Sequence, residues 1–140
     1  MKILLAVDGS PYTDKMLAYL AAHKQLFDAS HEYTLFTVPP ILPPRVRSAL
    51  GKEAVDAYYA EEAEKVLAPA LKLLQDNGLS CKTSSKIGHA GETIAKQAET
   101  GNYDLLVMGS HGHNALEKLV MGSVSTQVLA NCGVPVLLVR

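Results

Sequence analysis

Apolar positions along this chain fall into two spacings that take turns from one end to the other. Ile3–Val7 (ILLAV) is an unbroken apolar run, the pattern of a strand covered on both faces, and it stops at Asp8-Gly9-Ser10-Pro11. Ser10 before Pro11 reads as the cap and first position of a helix. Met16, Leu20 and Phe27 follow at helical spacing, and the helix is expected to run out near Asp28. Tyr33–Val38 (YTLFTV) predicts a second strand, closed by Pro39 and Pro40. Pro39–Lys52 (PPILPPRVRSALGK) carries four prolines and predicts an extended, semi-stiff loop, either a flank of a ligand site or a plain connector.

A long helix is expected next, up to Asn77, with Leu67, Ala70, Leu71 and Leu74 on one stripe and Asn77-Gly78 as its stop. Pro69 inside it predicts a kink or a local break. Leu79–Ile87 (LSCKTSSKI) alternates apolar and polar residues, as an exposed edge strand does. Ala90–Thr100 predicts a short helix with Ile94, Ala95 and Ala98 inward and Gly101 ending it. Tyr103–Met108 (YDLLVM) is the fourth strand, Val124–Ala130 (VSTQVLA) the last helix and Val134–Val139 (VPVLLV) the fifth strand. Five strands alternate with four helices, without an internal repeat, and the pattern predicts an α/β fold: an open parallel sheet with helices on both faces.

In such a sheet, ligands collect beyond the carboxyl ends of the strands, where strand order reverses. Two strand ends carry candidate chemistry: Asp8-Gly9-Ser10 after the first, and Gly109–Ser125 (GSHGHNALEKLVMGSVS) between the fourth strand and the last helix. Gly109 lets the chain turn off the strand, and Gly112 lets backbone amides approach an anion with no side chain between. Gly122-Ser123 opens the last helix, with Ser123 expected as its N-cap and its hydroxyl, beside the amides of Val124 and Ser125, facing the same anion. Leu116, Leu119 and Val120 are expected to anchor the loop between. A diphosphate or triphosphate suits that arrangement. Neither a Walker P-loop nor the G-x-G-x-x-G dinucleotide fingerprint is present, and scattered glycines alone also suit an ordinary flexible loop. Placement between strand and helix favours the anion site.

Composition narrows the partners. With 140 residues, 48% of them apolar, residues 1–140 have the size and apolar content of one domain. Lys and Arg (13) nearly balance Asp and Glu (14), so no broad basic field speaks for nucleic acid. Ile3–Val7 is too short for a signal-peptide core or a membrane span, and a soluble, cytoplasmic protein with no membrane partner is expected. Cys81 and Cys132 lack C-x-x-C spacing and read as small buried or half-buried hydrophobes.

The strand-AVDGS start, Gly109-x2-Gly112-x9-Gly122-Ser123 and the closing VPVLLVR together make the whole chain resemble the universal stress protein family, in its ATP-binding branch. The resemblance implies a Rossmann-like sheet of order 3-2-1-4-5, with the first and fourth strands as neighbours. It also implies ATP as cofactor, and the shortage of fixed positive charge around the loop calls for Mg2+ beside it. Ala6, Asp8 and Val38 match the positions that hold adenine and ribose; Gly109, Gly112, His113, Gly122, Ser123, Val124 and Ser125 match the phosphate-binding set. Gly88-His89-Ala90-Gly91-Glu92 departs from the family's G-x-P-A-E-type helix start, and the missing proline and added glycine are expected to loosen that start.

A carboxylate beside phosphates repels them unless a cation or a ribose hydroxyl intervenes, so Asp8 is read as a ribose or magnesium contact, or else as a cap of the first helix. Fixed cations near the loop are sparse: Lys118 lies in the insert, and His111 and His113 are charged only in part at neutral pH. The His111-x-His113 pair has no third ligand at metal spacing, so no structural metal is expected. His113 is the one candidate base, and Arg45 and Arg47 would have to swing over the site to serve phosphoryl transfer.

The leading function is therefore a nucleotide-binding stress or signalling module with at most slow ATP hydrolysis; the alternative is a structural dimer module of the same family that uses no nucleotide. A third possibility, a true nucleotide hydrolase or adenylyl transferase, lacks an evident catalytic group. Val134–Val139 has no Lys or Glu to blunt its edge, which predicts a homodimer joined antiparallel through the last strands, as the resemblance also implies, unless a helix or loop covers that edge.

Overall fold

A computed structural model of the chain describes residues 1–113 and 121–140. The elements are β1 (Lys2–Ala6), α1 (Pro11–Ala22), β2 (Glu32–Thr37), α2 (Pro44–Leu50), α3 (Lys52–Asp76), β3 (Cys81–Ser85), α4 (Ala90–Thr100), β4 (Leu105–Gly109), α5 (Ser123–Asn131) and β5 (Val136–Val139). The five strands form one sheet of order β3-β2-β1-β4-β5, every neighbouring pair parallel. This is the expected Rossmann-like α/β architecture.

The two faces of the sheet explain the apolar runs. From β1 and the residue after it, Ile3, Leu5 and Val7 pack with Met16 and Leu20 of α1 and Leu67 and Leu74 of α3. Leu4 and Ala6 point the other way, to Ile94 and Ala98 of α4 and Val128 of α5. A central strand sandwiched between two helix layers therefore has no polar face to keep. Leu4 and Leu5 are both 0% exposed, and truncating either to alanine is expected to cost about 2–5 kcal/mol.

Three expectations are corrected. α1 stops at Ala22 rather than near Asp28: the His23 ring Nδ1–H meets the Tyr19 carbonyl at 2.8 Å, and a turn closed by Phe27 N–H to His23 O carries Phe27 back into the core. The proline-rich segment is not wholly extended, because Pro44 opens α2 at the first helical position, where its missing N–H costs nothing. Five helices are present among the described residues, not four. Of the kink or break expected at Pro69, the break is absent: α3 runs on through it, with Pro69 on the exposed side, where water can serve the carbonyl that has lost its donor.

The ends of α1 and α3 follow the sequence more closely. Ser10 caps α1 by accepting from Thr13 N–H, with Pro11 first in the helix. Gly78, at φ +82, turns the chain off the end of α3. β3, at the outer edge, is polar and mostly exposed, as expected. Gly91 also has a packing role: a Cβ there would lie 2.6 Å from Cβ of Gln127, so glycine lets α4 and α5 pack closely.

Candidate functional site

The site forms where β1, β2 and β4 end side by side. Ala6 and Met108 are paired across the β1–β4 ladder, so Asp8 beyond β1 and the chain beyond β4 come to one crevice. Val38, beyond β2, joins them from the other side of β1. A cavity of about 270 Å3 opens there, near the lower end of the range for small-molecule sites. Ala6, Asp8 and Val38 line it, as do Gly109, Gly112 and His113, and Gly122, Ser123, Val124 and Ser125; all ten residues matched to nucleotide contacts in the sequence are on its wall.

Six further wall residues were not placed in the site from sequence as ligand contacts: Val7, Thr13, Ala90, Ile94, Met108 and His111. The apolar ones carry no chemical signature, and they are found only once α4 is docked on the sheet. Ile94 and Met108 pack with Ala6, Val38 and Val124 in one apolar cluster, which forms the hydrophobic side of the cavity.

The glycines act by letting backbones approach closely. Gly109 continues β4 rather than turning off it, and a Cβ there would lie 2.7 Å from Cβ of Tyr12 in the first turn of α1. At Gly112 a Cβ would meet Oδ2 of Asp8 at 2.9 Å. At Gly122 it would be 3.2 Å from Cα of His111, because Gly122 N–H donates to Ser110 O at 2.8 Å and pins the start of α5 to the end of β4.

That pinch moves the helix cap. Gly122, not Ser123, is the N-cap of α5, and no side chain caps it. Ser123 is the first helical residue and is exposed. Thr126 N–H makes the bond back to Gly122 O. The amides of Ser123, Val124 and Ser125 thus precede the helix's own ladder, at the positive end of its dipole and on the cavity wall. The Ser125 hydroxyl points elsewhere: it is buried and donates to Ser110 O at 3.0 Å and Gly109 O at 3.2 Å.

Asp8 divides its two oxygens. Oδ1 accepts from Ser10 N–H at 2.9 Å and from Thr13 Oγ1–H at 2.9 Å, which is the capping role; Oδ2 lies against Gly112. Its carbonyl accepts from His113 Nε2–H at 2.6 Å, tying the glycine segment to β1. His111 shares a hydrogen bond with Ser110 Oγ at 2.8 Å and its ring lies 4.8 Å from that of Tyr12. No cluster of three metal-ligating side chains occurs among the described residues. Leu116, Lys118, Leu119 and Val120 lie outside the described residues. Arg45 and Arg47 are on α2 and are not on the cavity wall.

An open parallel sheet with its crevice at the β1–β4 junction, walled by close-packed glycines and a helix N-terminus, defines a Rossmann-like α/β protein with a site suited to an anion. The chain belongs to the universal stress protein family, whose model matches residues 1–140. Universal stress protein Slr1230 of Synechocystis sp. is 34% identical over 139 residues; the match covers 99% of this chain but 42% of that relative's length. Among solved structures, the MJ0577 protein of Methanocaldococcus jannaschii superposes with a TM-score of 0.81 at 31% identity, over 99% of this chain and 94% of its own. The universal stress protein from Archaeoglobus fulgidus, solved in complex with dAMP, has a TM-score of 0.71 at 19% identity, over 100% and 98% of the two chains, and shares the fold.

Proposed function

We propose that the chain is a one-domain nucleotide-binding stress-response module that takes ATP, with Mg2+, into the cavity at the end of β1 and β4, and hydrolyses it slowly at most. One observation carries this reading: an apolar wall and the amide-bearing start of α5 meet in a single cavity beside Gly109, where a Cβ has no room. An adenine nucleotide has the matching two-part chemistry, a flat apolar base and an anionic tail. The dAMP complex of the Archaeoglobus relative supports the choice of base.

In this reading Ala6, Val38, Ile94 and Met108 flank the base, and the amides of Gly112, Ser123, Val124 and Ser125 receive the phosphates. Oδ2 of Asp8 takes a ribose hydroxyl or the magnesium, since Oδ1 is engaged by Ser10 and Thr13. Magnesium supplies charge neutralisation for the phosphates. His113, tied through Nε2–H to the Asp8 carbonyl, holds the glycine segment in place.

The test is calorimetric titration of nucleotide-stripped protein with Mg·ATP, with Gly122→Val as the variant and a thermal melt to confirm that the variant is folded. Micromolar binding that the folded variant loses is the expected result. No heat with the wild-type chain would overturn the proposal.

A second reading is favoured by β5. Its residues Val136–Val139 are all apolar, it pairs with β4 on one side, and Val136, Leu137 and Leu138 are only half-buried. We propose that two copies join antiparallel along this edge. If no nucleotide binds, a dimer module without ligand is the function that remains. A monomer by light scattering at micromolar concentration would refute the dimer.

A further inference from the structure

The cavity presents amides to a polyphosphate, but its described wall holds no lysine or arginine, and its one carboxylate is Asp8. A polyanion so placed is short of positive charge. The proline-rich segment that leaves the cavity wall at Val38 carries Arg45 and Arg47 on α2, and neither makes an ion pair with any described residue.

α2 is a helix with nothing laid over it. None of its residues is buried, and Ile41, Val46 and Leu50 expose 38%, 38% and 48% of their surface. Such side chains lack a counter-surface. Both ends of the segment suit a rigid-body swing. At one end, Leu42 N–H donates to the hydroxyl of buried Tyr59 at 3.0 Å, which fixes a pivot on α3. At the other, Gly51 joins α2 to α3 at φ +79 with no atom within 4 Å of where its Cβ would be. The prolines between Val38 and α2 keep the arm stiff. Six residues lie between Val38 on the cavity wall and Arg45, so α2 is joined to that wall by a short segment.

We propose that α2 is a basic lid. On binding of a nucleoside triphosphate it closes over the cavity, covers Val46 and Leu50, and brings Arg45 and Arg47 to the phosphate tail. The lid thereby distinguishes ATP from the uncharged nucleoside. This inference rests on the nucleotide reading above.

The test uses the nucleotide-stripped chain. Limited trypsin digestion is followed by mass spectrometry at Arg45 and Arg47, with exposed Lys24 at the far end of α1 as the internal reference. Mg·ATP is expected to slow cleavage at both arginines about tenfold relative to Lys24, and adenosine to leave it unchanged. In calorimetry, the double variant Arg45→Gln, Arg47→Gln is expected to bind ATP about tenfold more weakly and adenosine as the wild type does. Both positions are exposed, so the fold is kept. Wild-type protein that binds ATP with unchanged cleavage, and a double variant that binds it equally well, would overturn the lid and leave the nucleotide site standing. Wild-type protein that takes up no ATP would overturn both.

Discussion

Gly109→Ala separates the two jobs that glycines do around the cavity. The added methyl would lie 2.7 Å from Cβ of Tyr12 and 3.1 Å from its backbone C and O. Carbon atoms in contact settle at about 3.5–4.0 Å, so the overlap is close to 1 Å, and no rotamer relieves it because the opposing atoms are backbone and Cβ. The first turn of α1 has to move as a unit. It is held by Ser10 Oγ accepting from Thr13 N–H and by Thr13 Oγ1–H donating to Asp8, and Ser10 is 0% exposed. Overpacking against such a rigid element costs about 1–3 kcal/mol, or roughly 3–10 °C in melting temperature for a domain of this size. Gly112→Ala is the control: its methyl meets the free end of the Asp8 carboxylate, which can rotate away, so it disturbs the site while leaving stability within about 0.5 kcal/mol. Thermal melts and urea titrations of both variants decide the matter. A Gly109→Ala protein as stable as wild type would refute the close approach of β4 to α1.

Other consequences can be checked alongside. Ser125→Ala removes a buried hydroxyl that donates to two β4-end carbonyls and is expected to cost about 1 kcal/mol in urea titration; an unchanged midpoint would mean that the hydroxyl is turned to the cavity instead. Burial pushes the Cys81 thiol up to about 11, so at pH 8 its thiolate fraction is roughly a hundredfold below that of an unperturbed thiol, and alkylation should be correspondingly slow. Equal rates for Cys81 and a model thiol would refute that. Burial, with smaller contributions from Asp28 and Cys81, likewise raises Tyr33 to about 12. Both groups hold their protons more tightly folded than unfolded. Their contribution is complete below about pH 9, where an unfolded thiol still keeps its proton, and fades as pH rises through 11 and 12. Denaturant titrations from pH 8 to 12 should show falling stability, and a flat profile would contradict these shifts.

Alternation of apolar runs with helical spacing made the layer order legible, because a strand buried on both faces has no other pattern open to it. Ile3–Val7 shows this, with odd and even positions going to different helix layers. Local chemistry at helix starts was legible where one residue decides it, as at Ser10-Pro11. α2 was not, since prolines that exclude a helix interior are welcome at its first position, and Pro39–Pro44 satisfies both descriptions. Phe27 misled for a related reason: its spacing fits α1, but a buried side chain can be returned to the core by a turn as well as by a helix.

The candidate site was legible for a different reason from the one its glycines suggest. A glycine motif draws the eye to conformational freedom, yet Gly109, Gly112 and Gly122 all have ordinary negative-φ backbone. What they have in common is a close neighbour: a Cβ would lie 2.7 Å from Cβ of Tyr12, 2.9 Å from Oδ2 of Asp8 and 3.2 Å from Cα of His111. The spacing between them therefore records which parts of the chain lie close: β4 with α1, the segment after β4 with the Asp8 carboxylate, and the start of α5 with the same segment. Asp8 is the hinge of that arrangement. One of its oxygens fixes α1, its carbonyl holds His113, and the oxygen that remains borders Gly112 on the cavity wall. Gly112 thus leaves Oδ2 of Asp8, the oxygen that the first turn of α1 does not use, bordering the cavity wall.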